Sequence, residues 1–474
     1  MSDTPRSRRE FLKSAAIAGV GLGLGSTLLG NAAVAAGAAG APITTSSRGD
    51  VSATRRRPAG QKPVHDLTTN PLEKVRAALI GCGGRGSSLH GNLLDTGFVE
   101  IVAVCDLITS RAERCAAAAK KHGFDPKVFG GALDAWEAVC GLDNVDVVYI
   151  ATPWEWHAPM AVKSMESGKH AFVEVPACVT VDECWQLVDT SERTQRHCVI
   201  LENCCYGPEE LFVLNLVRKG ILGELNHAEC AYIHDLRSTL FETEGEGAWR
   251  RNFHTLLDAN LYPTHGLGPV AQYLGINRGD QFRHLVSMSS PERGLTKFRN
   301  EKRPQGGRFA GEKYRCGDMN TTLIKTEAGR SIMVQHDVIS PRPYSRINGV
   351  SGTGGTFFGY PARLAVNDGS SHSWMSAERL KEMREKYEHP LWAKLAAAAK
   401  ASGGHGGMDY VMNWRLCDCL RRGATPDITV YDAAAWSCII ELSAKSVAGG
   451  SLSVAVPDFT RGLWKTLDPL GIAG

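Results

Sequence analysis

A basic stripe is the first thing this 474-residue chain lacks. Lys and Arg number 53 against 50 Asp and Glu, and the excess sits at the front, where residues 1–60 hold eight basic and three acidic side chains. The other 414 residues carry a net charge of −2. Binding to a phosphate backbone needs clustered Lys and Arg, so nucleic acid is excluded as the main partner. Paired metal-binding cysteines are missing too. Of the 14 cysteines only Cys204-Cys205 and Cys417-Asp418-Cys419 stand close together, and neither has a second Cys/His pair at zinc-finger spacing, so no metal is expected. The remaining thiols are scattered and often sit in apolar runs, as Cys105 and Cys198 do, which reads as buried thiols rather than a disulfide framework. With 43% hydrophobic and 22% charged residues, the composition is that of a globular protein large enough for two or three domains.

Charge is also absent between Lys13 and Arg48. Ser7-Arg8-Arg9-Glu10-Phe11-Leu12-Lys13 precedes this Ala/Gly/Leu stretch, and Ala33-Val34-Ala35 supplies a small-x-small cleavage site. The segment resembles a twin-arginine export signal over residues 1–35. That implies passage through the twin-arginine machinery as a folded chain to the periplasm or the exterior. A retained anchor is the alternative, but so much Gly and Ala makes a weak transmembrane helix, and no stable membrane span is expected after cleavage. Residues 36–70, rich in Ala, Gly, Ser, Thr and Arg without apolar periodicity, read as a disordered linker.

Chemistry first appears after the apolar run Val75–Ile80, in Gly81-Cys82-Gly83-Gly84-Arg85-Gly86 followed by a helix-compatible segment. Gly81, Gly83 and Gly86 fit G-x-G-x-x-G, whose glycines serve a tight turn, backbone approach to a pyrophosphate and helix–sheet packing. The next apolar run ends in Asp106, 20 residues beyond Gly86, where a carboxylate can hold ribose hydroxyls and repel a 2′-phosphate. NAD is therefore the expected cofactor; the competing role for Asp106 is a turn or helix cap. Strand-like runs at 145–151, 171–175 and 198–202 alternate with helical stretches at 111–122, 159–167 and 181–194, the pattern of a parallel sheet. Ligands bind beyond the carboxyl ends of such strands. That marks Thr152 to His157, including Trp154, Glu155, Trp156 and His157, together with Glu174-Val175-Pro176 and Glu202-Asn203, as cleft residues.

The expected fold is α/β, a Rossmann dinucleotide-binding domain over 71–204 and a C-terminal α/β domain over 205–474 with a large, open, mostly antiparallel sheet. Strand-like runs at 225–234, 284–288, 321–326, 332–336 and 347–352 and helices at 376–400, 407–421 and 431–446 fill the second. Within it, Ala231 to Arg237, Asn260 to Pro269 and Pro343 to Arg346 are dense in aromatic, imidazole and guanidinium groups, which suit the apolar face and hydroxyls of a sugar ring. Oligomeric state is not legible; a homo-oligomer is compatible.

This order of motifs resembles the Gfo/Idh/MocA family of sugar oxidoreductases from residue 75 onward. It departs from the family's Glu-Lys-Pro and from its Asp four residues before a His, since Val175 and Leu261 stand there while His265 remains. With Trp154-Glu155-Trp156-His157 and Glu202 to Tyr206, the segments look like glycoside hydrolase family 109, the NAD-dependent α-N-acetylgalactosaminidases. That resemblance implies NAD contacts at Gly83, Gly84, Arg85, Gly86, Asp106, Trp154 to His157, Glu174, Val175 and Asn203. It implies a sugar pocket lined by Tyr232, Tyr262, Pro263, Thr264, His265 and Tyr344, and His234 as the base at the oxidised hydroxyl. Glu155, His157, Tyr206 and His265 are all candidates for the remaining acid and base roles. The expected reaction is glycoside cleavage through transient oxidation at C3, elimination, water addition and re-reduction, with NAD tightly held. A sugar oxidoreductase with tightly bound NAD(P) and a sugar-binding protein with a vestigial nucleotide fold are the alternatives.

Overall fold

The structure, a computed structural model, describes residues 50–302, 307, 309–367, 372–469 and 472; the export signal lies outside them. Six parallel strands form the first sheet: β1 Val75–Ile80, β2 Val99–Asp106, β3 Lys127–Gly130, β4 Val147–Ile150, β5 His170–Val173 and β6 Cys198–Ile200. Their order is β3-β2-β1-β4-β5-β6, so the direction of winding reverses between β1 and β4. A crevice opens at that switch point, beyond the carboxyl ends of both strands. Five of the six residues of β1 are buried, Val75, Ala77, Ala78, Leu79 and Ile80, as expected for a central parallel strand covered on both faces. Each large aliphatic side chain so placed contributes about 1.5–3 kcal/mol of burial.

The second sheet has eight strands: β7 Leu225–Ile233, β8 Phe282–Ser289, β9 Asn320–Thr326, β10 Ser331–Asp337, β11 Gly349–Gly352, β12 Gly355–Phe358, β13 Arg363–Val366 and β14 Val454–Ala455. Their order is β13-β12-β11-β7-β10-β9-β8-β14. β7 and β10 pair in parallel and every other pair is antiparallel. Among the described residues no helix is long and apolar enough to cross a membrane, and all 14 cysteines are free and buried.

Three expectations need correction. Residues 50–70 do not hang free as a tether. Arg57 donates to Glu192 at 2.9 Å, the Val64 amide donates to the Tyr431 hydroxyl at 3.1 Å, and the Thr69 amide donates to the Gly423 carbonyl at 3.0 Å. Arginine-rich composition suggested solvation, but acidic partners on the body capture these side chains. The helix expected at 159–167 begins five residues earlier, as Trp154–Glu166, so the Trp154–His157 segment is its first turn and not a loop. Pro159 reads as a helix start because proline suits the first turn, yet here it lies inside. The stretch 376–400 is two helices, Ala377–Tyr387 and Pro390–Ser402, because Pro390 disfavours helical backbone at His389, whose ring accepts from the Leu391 amide at 3.2 Å.

Gly86 is the tightest point in the glycine turn: a Cβ there would lie 1.8 Å from the Gly81 carbonyl oxygen. Gly86→Ala should therefore lower unfolding free energy by about 1–3 kcal/mol, read from denaturant midpoints, together with bound dinucleotide. An unchanged midpoint would mean that the helix can slide away from β1.

Candidate active site

A cavity of about 720 Å³ runs from the glycine turn to the second sheet. Its floor is built by the helix α1 (Gly84–Asp95), whose amino end faces the crevice, and by Gly81 at φ +94°, where a Cβ would strike the Ala151 carbonyl at 2.3 Å. By contrast, nothing lies within 4 Å of where a Cβ would stand on Gly83 or Gly84, so the turn is open for a pyrophosphate to rest on the helix end. Asp106 lines the cavity and also accepts from the Cys82 amide at 2.7 Å and the Ile108 amide at 2.8 Å. Its ribose-binding and turn-capping roles are thus compatible. These features fit a dinucleotide.

Arg85 is held by both domains. Its Nε donates to Glu174 at 2.6 Å, while its two terminal nitrogens donate to Asp409 at 2.8 and 3.0 Å. Asp409 stands at the start of the helix α2 (Met408–Arg422) and also accepts from Asn203 Nδ2 at 2.6 Å and from His405 Nδ1 at 2.8 Å. Burial works against the Asp409 charge, but His405 and Arg85 hold its carboxyl below the usual range. Burial dominates at Glu174 and pushes its pKa up despite Arg85. Three of the five Arg85 N–H groups thus go to protein carboxylates, so its charge is compensated locally while the residue still lines the cavity.

At the other end Tyr232, Tyr262, His234, His265 and Tyr344 gather as expected. Ring centres lie 4.3 Å apart for Tyr232 and Tyr262, 4.7 Å for Tyr232 and His234, 4.9 Å for Tyr262 and His265, and 5.1 Å for His234 and Tyr344. Trp154 joins them at 5.5 Å from Tyr262. Burial, with Arg250 and His265 nearby, lowers the pKa of His234 to about 4. The ring is neutral at pH 7 and its Nε2 is buried without a hydrogen-bond partner among the described residues. It can accept a proton there.

Several expected site residues stand elsewhere. Tyr206 is fully buried with its hydroxyl directed at Asp427, 3.4 Å away, so it does not reach the cavity. Gly86, Glu155, Pro263, Thr264 and Tyr344 do not line it either, whereas Trp154, Trp156, His157, Glu174, Val175 and Asn203 do. Both ring nitrogens of His157 face carbonyl oxygens, Pro176 and Thr152, each at 2.7 Å. Burial lowers the His157 pKa, so the neutral ring donates to one of these carbonyls while its other nitrogen faces the second, and both nitrogens are turned to the backbone.

Arg250, Trp249, Glu246 and His405 also line the cavity and were not foreseen. Arg250, on the helix Gly247–Leu256, is buried among the rings of Tyr262 (4.7 Å), Trp154 (5.1 Å) and Tyr232 (5.4 Å) and pairs with Glu246. No motif flags it. His405 had a signal that went unused, a histidine between Gly403-Gly404 and Gly406-Gly407, all four at positive φ. Its Nδ1 is anchored on Asp409, just as His265 Nδ1 donates to buried Glu202 at 2.8 Å. Burial opposes ionisation of Glu202, but His265 holds its pKa down. Two imidazoles thus share one design, Nδ1 on a buried carboxylate and Nε2 without a hydrogen-bond partner among the described residues.

The model for the C-terminal domain of glycosyl hydrolase 109 matches residues 206–466, and that for the oxidoreductase family with an NAD-binding Rossmann fold matches 75–201. The chain belongs to glycosyl hydrolase family 109. It is 47% identical to a family 109 protein of Shewanella sp. (strain W3-18-1) over 98% of this chain and 99% of the relative. It is likewise 47% identical to an α-N-acetylgalactosaminidase of Shewanella oneidensis, over 93% of this chain and 97% of that one. Levoglucosan dehydrogenase in complex with NADH and L-sorbose shares the fold, with TM-score 0.61 at 18% identity over 82% of this chain and 100% of its own. This family 109 chain is thus an NAD-dependent glycoside hydrolase.

If Glu202 fixes the His265 tautomer, Glu202→Gln should lower kcat by roughly 10–100-fold, the scale seen when a partner that orients an active group is lost, with bound dinucleotide unchanged. Loss of dinucleotide in parallel with kcat would make Glu202 a fold residue only.

Proposed function

We propose that this enzyme cleaves terminal α-N-acetylgalactosaminides after export by the twin-arginine route, keeping one NAD through every cycle. One observation carries the reading: the nucleotide crevice and the Tyr232–Tyr262–Arg250 cluster share one cavity, with His234, His265 and His405 on its wall. NAD⁺ bound there would supply a two-electron acceptor that takes hydride from the sugar C3 and returns it when the cycle closes. Arg250 and the tyrosines hold the ring, the first by charged donors to hydroxyl or acetamide oxygens and the second by aromatic faces. His234 takes the C3 hydroxyl proton. Oxidation at C3 acidifies C2, so a base can remove the C2 proton while the C1 glycosidic bond breaks with help from an acid. Water then adds across C1 and C2.

Of the four earlier candidates for those last two roles, Tyr206 lies outside the cavity, Glu155 does not line it, and the nitrogens of His157 are consumed. His265 remains and His405 joins it, each with Nδ1 anchored and with no hydrogen bond at Nε2 among the described residues. Val175, buried in the crevice wall, and buried Leu261 put no acid or base at the positions where a Glu-Lys-Pro dehydrogenase carries them. The proton chemistry falls to histidines.

Export supports tight retention of the cofactor. Free NAD is scarce outside the cytoplasm, and holding it against nanomolar surroundings requires binding stronger than roughly −12 kcal/mol. Protein purified without added nucleotide should therefore release NAD(H) on denaturation, identified by mass and ultraviolet spectrum; a dinucleotide-free supernatant would overturn this reading. His234→Ala should keep that dinucleotide and lower turnover of a nitrophenyl α-N-acetylgalactosaminide by roughly 10²–10⁴-fold. Because only neutral His234 accepts a proton, its contribution should persist as pH falls and be lost below about 4.

The isotope record separates this cycle from direct displacement. Cleavage in D₂O should place deuterium at C2 of the released sugar, no NADH should accumulate, and a 3-deoxy substrate should resist cleavage because no ketone can form. Normal hydrolysis of the 3-deoxy substrate would rule out oxidation–elimination. Interconversion of two sugars without bond cleavage would instead mark a sugar oxidoreductase.

A further inference from the structure

Glu202, Cys204 and His265 each place one ligand atom within 4.8 Å of the other two. Glu202 and Cys204 flank Asn203 on the turn that follows β6, while His265 comes from the opening of the helix Thr264–Tyr273. The first two are buried and His265 lines the cavity. Sequence spacing could not announce the set, because His265 lies more than sixty positions beyond Glu202 and Cys204 and is brought to them by the fold.

A carboxylate oxygen, a thiol sulfur and an imidazole nitrogen form the mixed donor set that a borderline-soft d¹⁰ cation takes, whereas Mg²⁺ and Ca²⁺ require oxygens. Three protein ligands are the count of such a site in its open form, and of the three residues only His265 lines the cavity, its Nδ1 turned to Glu202. One thiolate and one carboxylate neutralise a dication, so the occupied site carries no net charge, the condition under which burial is tolerable. Glu202 is also prepared for the role. Its Oε1 accepts from the Cys204 amide at 3.2 Å, and its Oε2 is buried with no hydrogen-bond partner among the described residues.

We propose that Glu202, Cys204 and His265 bind Zn²⁺ or a cation of the same class, and that occupation of this site stops the reaction. A metal-bound thiol is a thiolate, so binding releases the Cys204 proton to solvent as the metal–sulfur bond forms. The metal also takes the Nδ1 lone pair of His265, which requires the proton on Nδ1 to move to Nε2. The Nε2 lone pair that faces the cavity is then gone, and His265 no longer accepts a proton. The binding half stands on geometry alone; the inhibitory half rests on the proposed role of His265.

The test titrates the NAD-loaded protein with Cd²⁺ and Zn²⁺, following the ultraviolet thiolate-to-cadmium charge-transfer band and, in parallel, glycoside cleavage. One equivalent should produce the band and abolish turnover, a chelator should reverse both, and Mg²⁺ should do neither. Cys204→Ser should keep basal turnover, lose the band, and require at least about 100-fold more Zn²⁺ for inhibition, while Cys205→Ser keeps the parental response. Cys204→Ala replaces the serine variant if that one melts early. No band in the parent, or an undiminished band in both Cys204 variants, overturns the site. A band with undiminished turnover overturns the inhibition. Because the band needs no substrate, failure of the glycosidase reading is distinguishable from failure of this one.

Discussion

The carboxylate of Asp409 is the constraint on which the site depends. It belongs to the second half of the chain, yet it grips Arg85 in the glycine turn, Asn203 after β6 and His405 in its own glycine-flanked loop. A buried charge of this kind persists only when several donors meet it, and removing one partner of such a pair costs about 3–5 kcal/mol. The cost makes the relative position of the domains a requirement for electrostatic balance. Asp409 thus ties the glycine turn and the end of β6 to the helix α2, beside other contacts between the two halves such as His265 on Glu202 and Arg461 on Glu192.

A second consequence follows from the same pairing. Nδ1 of His405 on Asp409 and Nδ1 of His265 on Glu202 leave two Nε2 atoms with a defined protonation pattern, while the His157 ring is consumed in holding Pro176 and Thr152. These three histidines line the cavity together with His234, and only their hydrogen-bond partners distinguish structural from chemical use. Residue type alone could not have sorted them.

That explains what was legible in the sequence and what was not. The first sheet was legible because strand, glycine turn, helix and carboxylate follow one another within about thirty positions, and local order is what periodicity reports. Its edge strand Lys127–Gly130, short and exposed at Lys127 and Val128, carried no apolar run to find. The same holds for β12 to β14, of two to four residues each. Tyr232, Tyr262, His234 and His265 were legible as motifs, and the fold brings them within about 5 Å of one another. Arg250 was not, because its function comes from three aromatic rings on other elements. Tyr206 misled for the opposite reason: proximity in sequence to Asn203 says nothing of direction, and its side chain turns away toward Asp427.

Val175 and Leu261 carry the last step of the argument. An amine at the first position would sit in the crevice wall beside Glu174, and a carboxylate at the second would lie in a fully buried segment four residues before His265. Apolar groups there leave Glu202 as the buried carboxylate that addresses His265, while burial and the nearby Arg250 and His265 outweigh Glu246 and Asp235 at His234. Desolvation then keeps His234 neutral. A neutral imidazole can accept a proton and give it back, whereas a lysine at position 175 would add a positive charge to the crevice wall. Val175 and Leu261 thus add no charge to this wall, and the two histidine–carboxylate pairs supply its ordered imidazoles.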